Sequence, residues 1–135
     1  MKITKIKLKN FIDTRGQLVT VEAKKDIPFG IKRVYYIYDV AENERRGFHA
    51  HKKLKQILIC LNGSCCVHLD NGTEQKEVLL NNPAEGLLIE SNIWREMYNF
   101  SKGAVLLVLA SELYDESDYI RDYDKFLEYI GENNG

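Results

Sequence analysis

Nine short runs rich in apolar and β-branched residues, at 2–9, 17–23, 32–40, 56–61, 64–69, 73–80, 86–89, 96–100 and 104–111, are separated by turn residues. Short strands at such spacing, with no long helical period between them, constrain the chain to an antiparallel sandwich or barrel. Asn62-Gly63, between two apolar runs, has the composition of a two-residue type I′ hairpin, and Asp70-Asn71-Gly72 is a second turn of related chemistry. Residues 105–109 are apolar without interruption, as a central strand covered on both faces requires. From about Ser117 the period changes: Tyr119, Ile120, Tyr123, Phe126, Leu127 and Ile130 recur at three- and four-residue steps, which predicts one amphipathic helix. Asp115 or Ser117 can cap its first turn, and Gly131 with Asn133 and Asn134 can stop it. With 135 residues the expectation is one all-β domain, its barrel over about 1–113 and its C-terminal α-helix over about 116–131.

Charge excludes some partners. Lys and Arg total 19 against 20 Asp and Glu, a net charge of -1, so nothing draws the whole surface to nucleic acid or to an acidic membrane. Any bound anion must be held by a local cluster. The first residues alternate Lys with Ile rather than forming an apolar signal segment, and no run is long enough to cross a bilayer; a cytoplasmic protein is expected. Three cysteines, Cys60, Cys65 and Cys66, make an odd number, and adjacent Cys65 and Cys66 face opposite sides of a strand, so a disulfide framework is not expected. Cys60, inside an apolar run, reads as core.

The chemistry concentrates around Arg46-Gly47-Phe48-His49-Ala50-His51. Two histidines one residue apart on a strand point to one face and share one cavity, where they can ligate a metal or move a proton. His68, alternating with Cys65, Val67 and Leu69, has no such company and reads as solvent-facing. Arg33 shares a strand face with Tyr35 in a run too aromatic for an exposed edge, so its guanidinium needs an anionic partner such as a phosphate. Tyr35, Tyr36, Tyr38 and Trp94 are either aromatic core or a cover for a base or sugar. Arg45, Lys53 and Lys55 read as solvated charge.

The spacing His49-x-His51, four residues, Gln56, six residues, Gly63 resembles the metal signature of cupin barrels, with Gln where that signature has Glu. A further cupin ligand would be sought near residues 93–97, where Arg95 stands; arginine stays protonated and offers no lone pair. Two His and a Gln amide are a poor set for iron or zinc, which favours a metal-free site and the proton. Further segments, at 31–37, 46–53, 56–64, 94–97 and 114–124, together resemble the dTDP-4-keto-6-deoxyhexose 3,4-ketoisomerases, metal-independent cupins that supply 3-keto sugars to aminotransferases. The likeness runs from about Asp13 to Asp124.

That resemblance implies a cupin-type jelly roll and a homodimer. It implies a dTDP-linked keto sugar as substrate, a product passed to a PLP-dependent aminotransferase, and no cofactor. On matching positions His49 is the base and His51 its partner, Arg33 and Arg46 take the diphosphate, and Tyr35, Gln56 and Met97 line the cavity. The hydrogen on C3 is acidified by the neighbouring C4 carbonyl, and an imidazole of ordinary pKa about 6.5 accepts it near neutrality. The enediolate oxygen then needs a cation or donor, a role for His51 or Arg95. Galacto-type members tend to pair Arg at the position of Arg15 with His at that of Arg95, and gluco-type members Tyr with Arg; this chain has Arg at both, which leaves the C4 configuration open. The rival readings are a dTDP-sugar epimerase, a metal-dependent cupin oxygenase using the same histidines, and a non-catalytic sugar-binding cupin.

Overall fold

The computed structural model describes residues 1–134. Its elements are β1 (Thr4–Lys7), β2 (Lys9–Asp13), β3 (Gly16–Thr20), β4 (Arg33–Tyr38), β5 (Arg46–His51), β6 (Gln56–Asn62), β7 (Cys65–Asp70), β8 (Gln75–Leu80), β9 (Glu85–Ile89), β10 (Trp94–Tyr98), β11 (Val105–Ala110), β12 (Tyr119–Ile120) and α1 (Tyr123–Asn134). Two five-stranded antiparallel sheets, in the orders β1-β9-β6-β11-β4 and β12-β5-β10-β7-β8, face each other as a jelly roll, and β2 with β3 forms a separate hairpin. The sheets do not close into a barrel.

Between the sheets lies the main core, where Leu58, Cys60, Leu106 and Val108 meet Cys65, Val67, Leu69 and Met97. The outer face of the first sheet is covered too: Ile57, Ile59 and Leu109 pack under Ile27 and Phe29 from the segment that follows β3. Burial on both faces is why β6 and β11 read as unbroken apolar runs rather than as alternation. Cys60 and Cys65 are core residues, as expected, and all three cysteines are free. On β4 the alternation is clean, with Arg33, Tyr35 and Ile37 inward and Val34, Tyr36 and Tyr38 outward. Tyr36 and Tyr38 are therefore neither core nor part of the interior cavity.

The Asn62-Gly63 step is not a hairpin. β6 pairs with β9 and β11, whereas β7 pairs with β8 and β10, so the chain crosses here from one sheet to the other. Gly63 takes φ 70° and is packed against Ser101 and Ala104, contacts that set a corner between layers. Local turn chemistry is the same for a hairpin and for such a corner, and the partner strands decide. The Asp70-Asn71-Gly72 turn does join a hairpin, β7 to β8.

The C-terminal helix begins later than its period suggests. Asp115 caps a single 3₁₀ turn at Glu116–Asp118, and Tyr119–Ile120 is a strand that pairs with His51 and Ala50 of β5. α1 starts at Tyr123, with Asp122 accepting from the Lys125 N–H, and runs through Gly131. Phe126 and Ile130 pack with Trp94, Ala50 and Ile120 on the outer face of the second sheet, each such burial contributing about 2 kcal/mol. Trp94 is thereby a core aromatic under the helix. Among the described residues no helix is long and apolar enough to cross a membrane.

Candidate active site

A bulge in β5 aims the first histidine. His49 lies opposite Arg95 and Gly47 opposite Glu96, leaving Phe48 as the extra residue, with left-handed φ angles of 96° at Gly47 and 58° at Phe48. A Cβ on Gly47 would stand 2.8 Å from the Arg95 carbonyl oxygen, so only glycine fits there. The bulge turns the Gly47 carbonyl toward His49, whose Nδ1 lies 3.1 Å away. A carbonyl accepts only, so Nδ1 carries the proton and Nε2 keeps its lone pair.

His51 is fixed in the same sense by a stronger partner. Its Nδ1 is 3.0 Å from Asp118 Oδ2, and the same carboxylate accepts the backbone N–H groups of Lys53 and Leu54. The two rings sit edge to face with centroids 4.9 Å apart, confirming the shared face that their spacing predicts, and the Tyr119 ring covers both at 5.1 and 4.3 Å. Burial, and after it the nearby Arg95 cation, lowers His49 to about 4 and His51 to about 2, so both are neutral at pH 7.

Behind the histidines Arg95 is fully buried. Its Nε and Nη2 donate to the Ile93 carbonyl and its Nη1 donates to Gln56 Oε1 at 2.5 Å. Burial holds its pKa down, to about 10, leaving it cationic at neutrality. Because the Gln56 oxygen must face this donor, its amide N–H faces the Tyr35 hydroxyl oxygen, at 3.0 Å. Tyr35 is held above its ordinary pKa, mainly by burial, and stays protonated.

In front of these groups a cavity of about 360 Å³ is lined by Arg33, Tyr35, Arg46, His49, Met97, Tyr119 and Arg121, among others. Arg33 lies over the rings of Tyr35 and Tyr114 and is 3.4 Å from the Tyr119 hydroxyl. The arginine ion pairs among the described residues are Arg15–Asp13, Arg45–Glu96 and Arg121–Glu116. Arg33 and Arg46 thus face the cavity without a carboxylate. Five buried side-chain polar atoms lack a hydrogen-bond partner among the described residues, and three of them, Arg33 Nε, His49 Nε2 and His51 Nε2, belong to this one site. Buried polar groups are normally satisfied, and here three with unused hydrogen-bonding capacity fall together.

The sequence-derived candidates do not all meet here. Arg33, Tyr35, Arg46, His49 and Met97 line the cavity; His51, Gln56 and Arg95 stand behind its wall. Arg95 reaches the cavity only through Gln56 and Tyr35 rather than by its own N–H groups. Arg15 is on the exposed tip of the β2–β3 hairpin, paired with Asp13, and does not line this cavity. His68 is on the outer sheet face against Glu77, and Arg45 is bound to Glu96 over the Tyr98 ring.

Asp118, Tyr119 and Arg121 were hidden in the run that reads as the helix start; their signal was the density of acidic and aromatic residues at 114–119. For a metal, the donors would be His49 and His51, but the third position is filled by a Gln amide bound to a buried arginine cation. Among the described residues no group of three His, Cys, Asp or Glu side chains is placed to hold a metal ion.

A relative from Aneurinibacillus thermoaerophilus, TDP-4-oxo-6-deoxy-alpha-D-glucose-3,4-oxoisomerase, is 56% identical over 129 residues, 96% of this chain and 93% of its own length. The 3,4-ketoisomerase QdtA from Thermoanaerobacterium thermosaccharolyticum, solved with TDP, superposes with a TM-score of 0.95 at 51% identity, covering 97% of this chain and 96% of QdtA. WlaRB, a TDP-quinovose 3,4-ketoisomerase from Campylobacter jejuni, is also 51% identical, with a TM-score of 0.89, over 93% of this chain and 97% of that one. The family model FdtA (WxcM-like, C-terminal) matches residues 1–131, and this chain belongs to that family.

Proposed function

We propose that this chain is a sugar 3,4-ketoisomerase that converts a TDP-4-keto-6-deoxyhexose to its 3-keto isomer through an enediolate. The observation that carries the reading is the pair of neutral imidazoles, each with Nδ1–H tied down and Nε2 free, beside a cavity where Arg33 and Arg46 have no carboxylate partner among the described residues. His49, on the cavity wall, takes the C3 proton. His51, held by Asp118, sits behind it and keeps the site in one hydrogen-bonded arrangement. Arg33 and Arg46 suit the diphosphate, for which a guanidinium offers paired donors. Met97 supplies apolar wall beside the sugar.

The reaction is redox-neutral, with one carbon oxidised as its neighbour is reduced, so proton transfers suffice. Removing water from around the reacting centre strengthens every donor aimed at the enediolate. The buried Arg95 cation places positive potential behind that oxygen, and the histidines are uncharged until His49 accepts the C3 proton.

We expect a cytoplasmic homodimer whose product goes to a PLP-dependent aminotransferase. Phe11, Ile12 and Leu18 on the hairpin and Val34, Tyr36 and Tyr38 on β4 are exposed apolar residues where a second copy would sit. Arg15, on that hairpin, would influence product configuration only from a site it reaches across such a contact. Light scattering tests the dimer.

The test of function is incubation with TDP-4-keto-6-deoxyglucose and a 3-aminotransferase, followed by NMR of the aminosugar. A 3-amino product is expected, and its C4 configuration is read in the same spectrum. Deuterium exchange with the carbonyl left at C4 would support an epimerase instead. Activity lost to chelators would support an oxygenase, and binding without turnover a sugar-binding cupin.

A further inference from the structure

Resting on the ketoisomerase reading for what His49 and Arg46 do, we propose that the Arg45–Glu96 ion pair on the outer face of the second sheet clamps β5 in its bulged register and so positions both residues. Glu96 is a positioning residue. It lies outside the cavity lining and acts through the strand.

The bulge needs a hold. Gly47 and Phe48 take left-handed φ angles of 96° and 58°, and Phe48 is a bulky residue for that region. Its side chain is 46% exposed, so burial offsets little of the strain. The regular alternative is close by: losing the extra residue slips the strand one position against β10 and turns the side chains of the slipped part to the opposite face. Arg46, opposite Met97, would leave the cavity, and the Gly47 carbonyl would leave His49 Nδ1. At its far end β5 is held by β12, which pairs with His51 and Ala50. Before Arg46 the chain is loop, with left-handed residues at Asp39 and Asn43, so a side chain must fix that end.

Glu96 fixes it. It stands opposite Gly47, its Oε1 accepts from Arg45 Nε at 2.6 Å, and its Oε2 accepts from the buried Trp94 indole N–H at 2.8 Å. The Arg45 guanidinium also lies over the Tyr98 ring at 4.1 Å, and the Tyr98 hydroxyl is anchored by donating to Glu77 at 2.8 Å. Trp94 packs with Phe126 of α1, which ties the carboxylate to the core. The side chains of Arg45 and Glu96 are 36% and 17% exposed, so solvent screens the pair only in part. Trp94, Glu96 and Tyr98 alternate with Arg95 and Met97 along β10; one strand thus carries the clamp on one face and cavity wall on the other. Both bonds need a carboxylate, since a glutamine oxygen could keep Trp94 only by turning its amide N–H groups on Arg45.

The test uses wild type, Arg45→Met and Glu96→Gln with isotope-labelled histidine nitrogens; each variant leaves Trp94 an acceptor. The His49 tautomer is read by NMR, TDP affinity by calorimetry and kcat with TDP-4-keto-6-deoxyglucose, all well below the melting temperatures. In both variants the pure Nδ1–H form of His49 should give way to a mixture of Nδ1–H and Nε2–H as the Gly47 carbonyl leaves it. Turnover should fall about tenfold or more as the ring is misplaced, and TDP should bind more weakly as Arg46 is displaced. The melting temperature should drop by about 5 °C or less, the scale of a half-exposed ion pair. Arg45→Lys, which keeps a cation within reach of Glu96, should restore most of each quantity. A contribution to stability alone would leave the tautomer of the folded protein unmoved. An unchanged His49 tautomer in both variants therefore overturns the proposal, whatever happens to kcat. So does a kcat that stays at the wild-type value. The tautomer and TDP readings need no turnover, so a wild type that fails to isomerise sinks the ketoisomerase reading and leaves the clamp tested separately.

Discussion

The floor and the mouth of the cavity are built on opposite rules. At the floor, Arg95, Gln56, His51 and Asp118 are bound to one another and to backbone, with directions set before any substrate arrives. At the mouth, Arg33 and Arg46 have no acidic partner among the described residues, and Arg121 is held by Glu116 while it stacks on Tyr119 at 4.1 Å. A floor fixed in this way suits the proposed proton transfer, which tolerates little misplacement. The mouth suits the proposed diphosphate, whose binding gains affinity and tolerates adjustment. Damage to the floor should therefore appear in turnover and damage to the mouth in affinity.

The largest break in that contrast should come from His49→Asn, which removes the proposed base while leaving its strand intact. A loss of turnover of about 10³-fold or more is expected, with unchanged circular dichroism and TDP affinity. Next is Asp118→Asn, which deprives His51 and two backbone N–H groups of a shared carboxylate. Turnover should fall about tenfold or more, and thermal denaturation should show a loss of about 2 kcal/mol, the scale of hydrogen bonds to a charged group. Gly47→Ala should destabilise by about 2 kcal/mol as the bulge is forced to shift, and its kcat should fall with the misaimed ring.

Smaller, and opposite in kind, is Arg33→Ala. TDP binding by calorimetry should weaken about tenfold while kcat at saturation and the melting temperature change little. Equal TDP affinity in the variant would erase the distinction between mouth and floor.

The mildest effect is on pH. His49 has its folded pKa lowered from 6.5 to about 4, so it is neutral and competent down to mildly acidic conditions, and the acid limb of kcat/KM should fall near pH 4 rather than near 6.5. The stability linkage has the matching sign. Below about 6.5 the unfolded histidines bind protons that the folded ones refuse, so stability declines as pH falls toward the folded values and not above pH 7.

Much of the floor was legible in the sequence because it depends on local periodicity. His49 and His51 had to share a face once β5 was a strand, and Gln56 stood where its spacing placed it. Asp118 and Tyr119 were not legible, since Tyr119, Ile120 and Tyr123 satisfy a helical period, yet the first two are spent on pairing with β5. The Asn62-Gly63 corner failed for a like reason: its composition fits a hairpin, and only the remote partners of β6 and β7 tell otherwise. Arg15 shows the reverse limit, since likeness to a family pointed to a residue that this chain's own cavity does not contain.

The most direct test of the account uses TDP-4-keto-6-deoxyglucose deuterated at C3, with loss of the label followed by NMR in wild type and in His49→Asn. Wild type should show a primary isotope effect and move the label to C4 or to solvent, while His49→Asn keeps it at C3. Loss of the C3 label at an undiminished rate in the variant would contradict the assignment of His49 as the base.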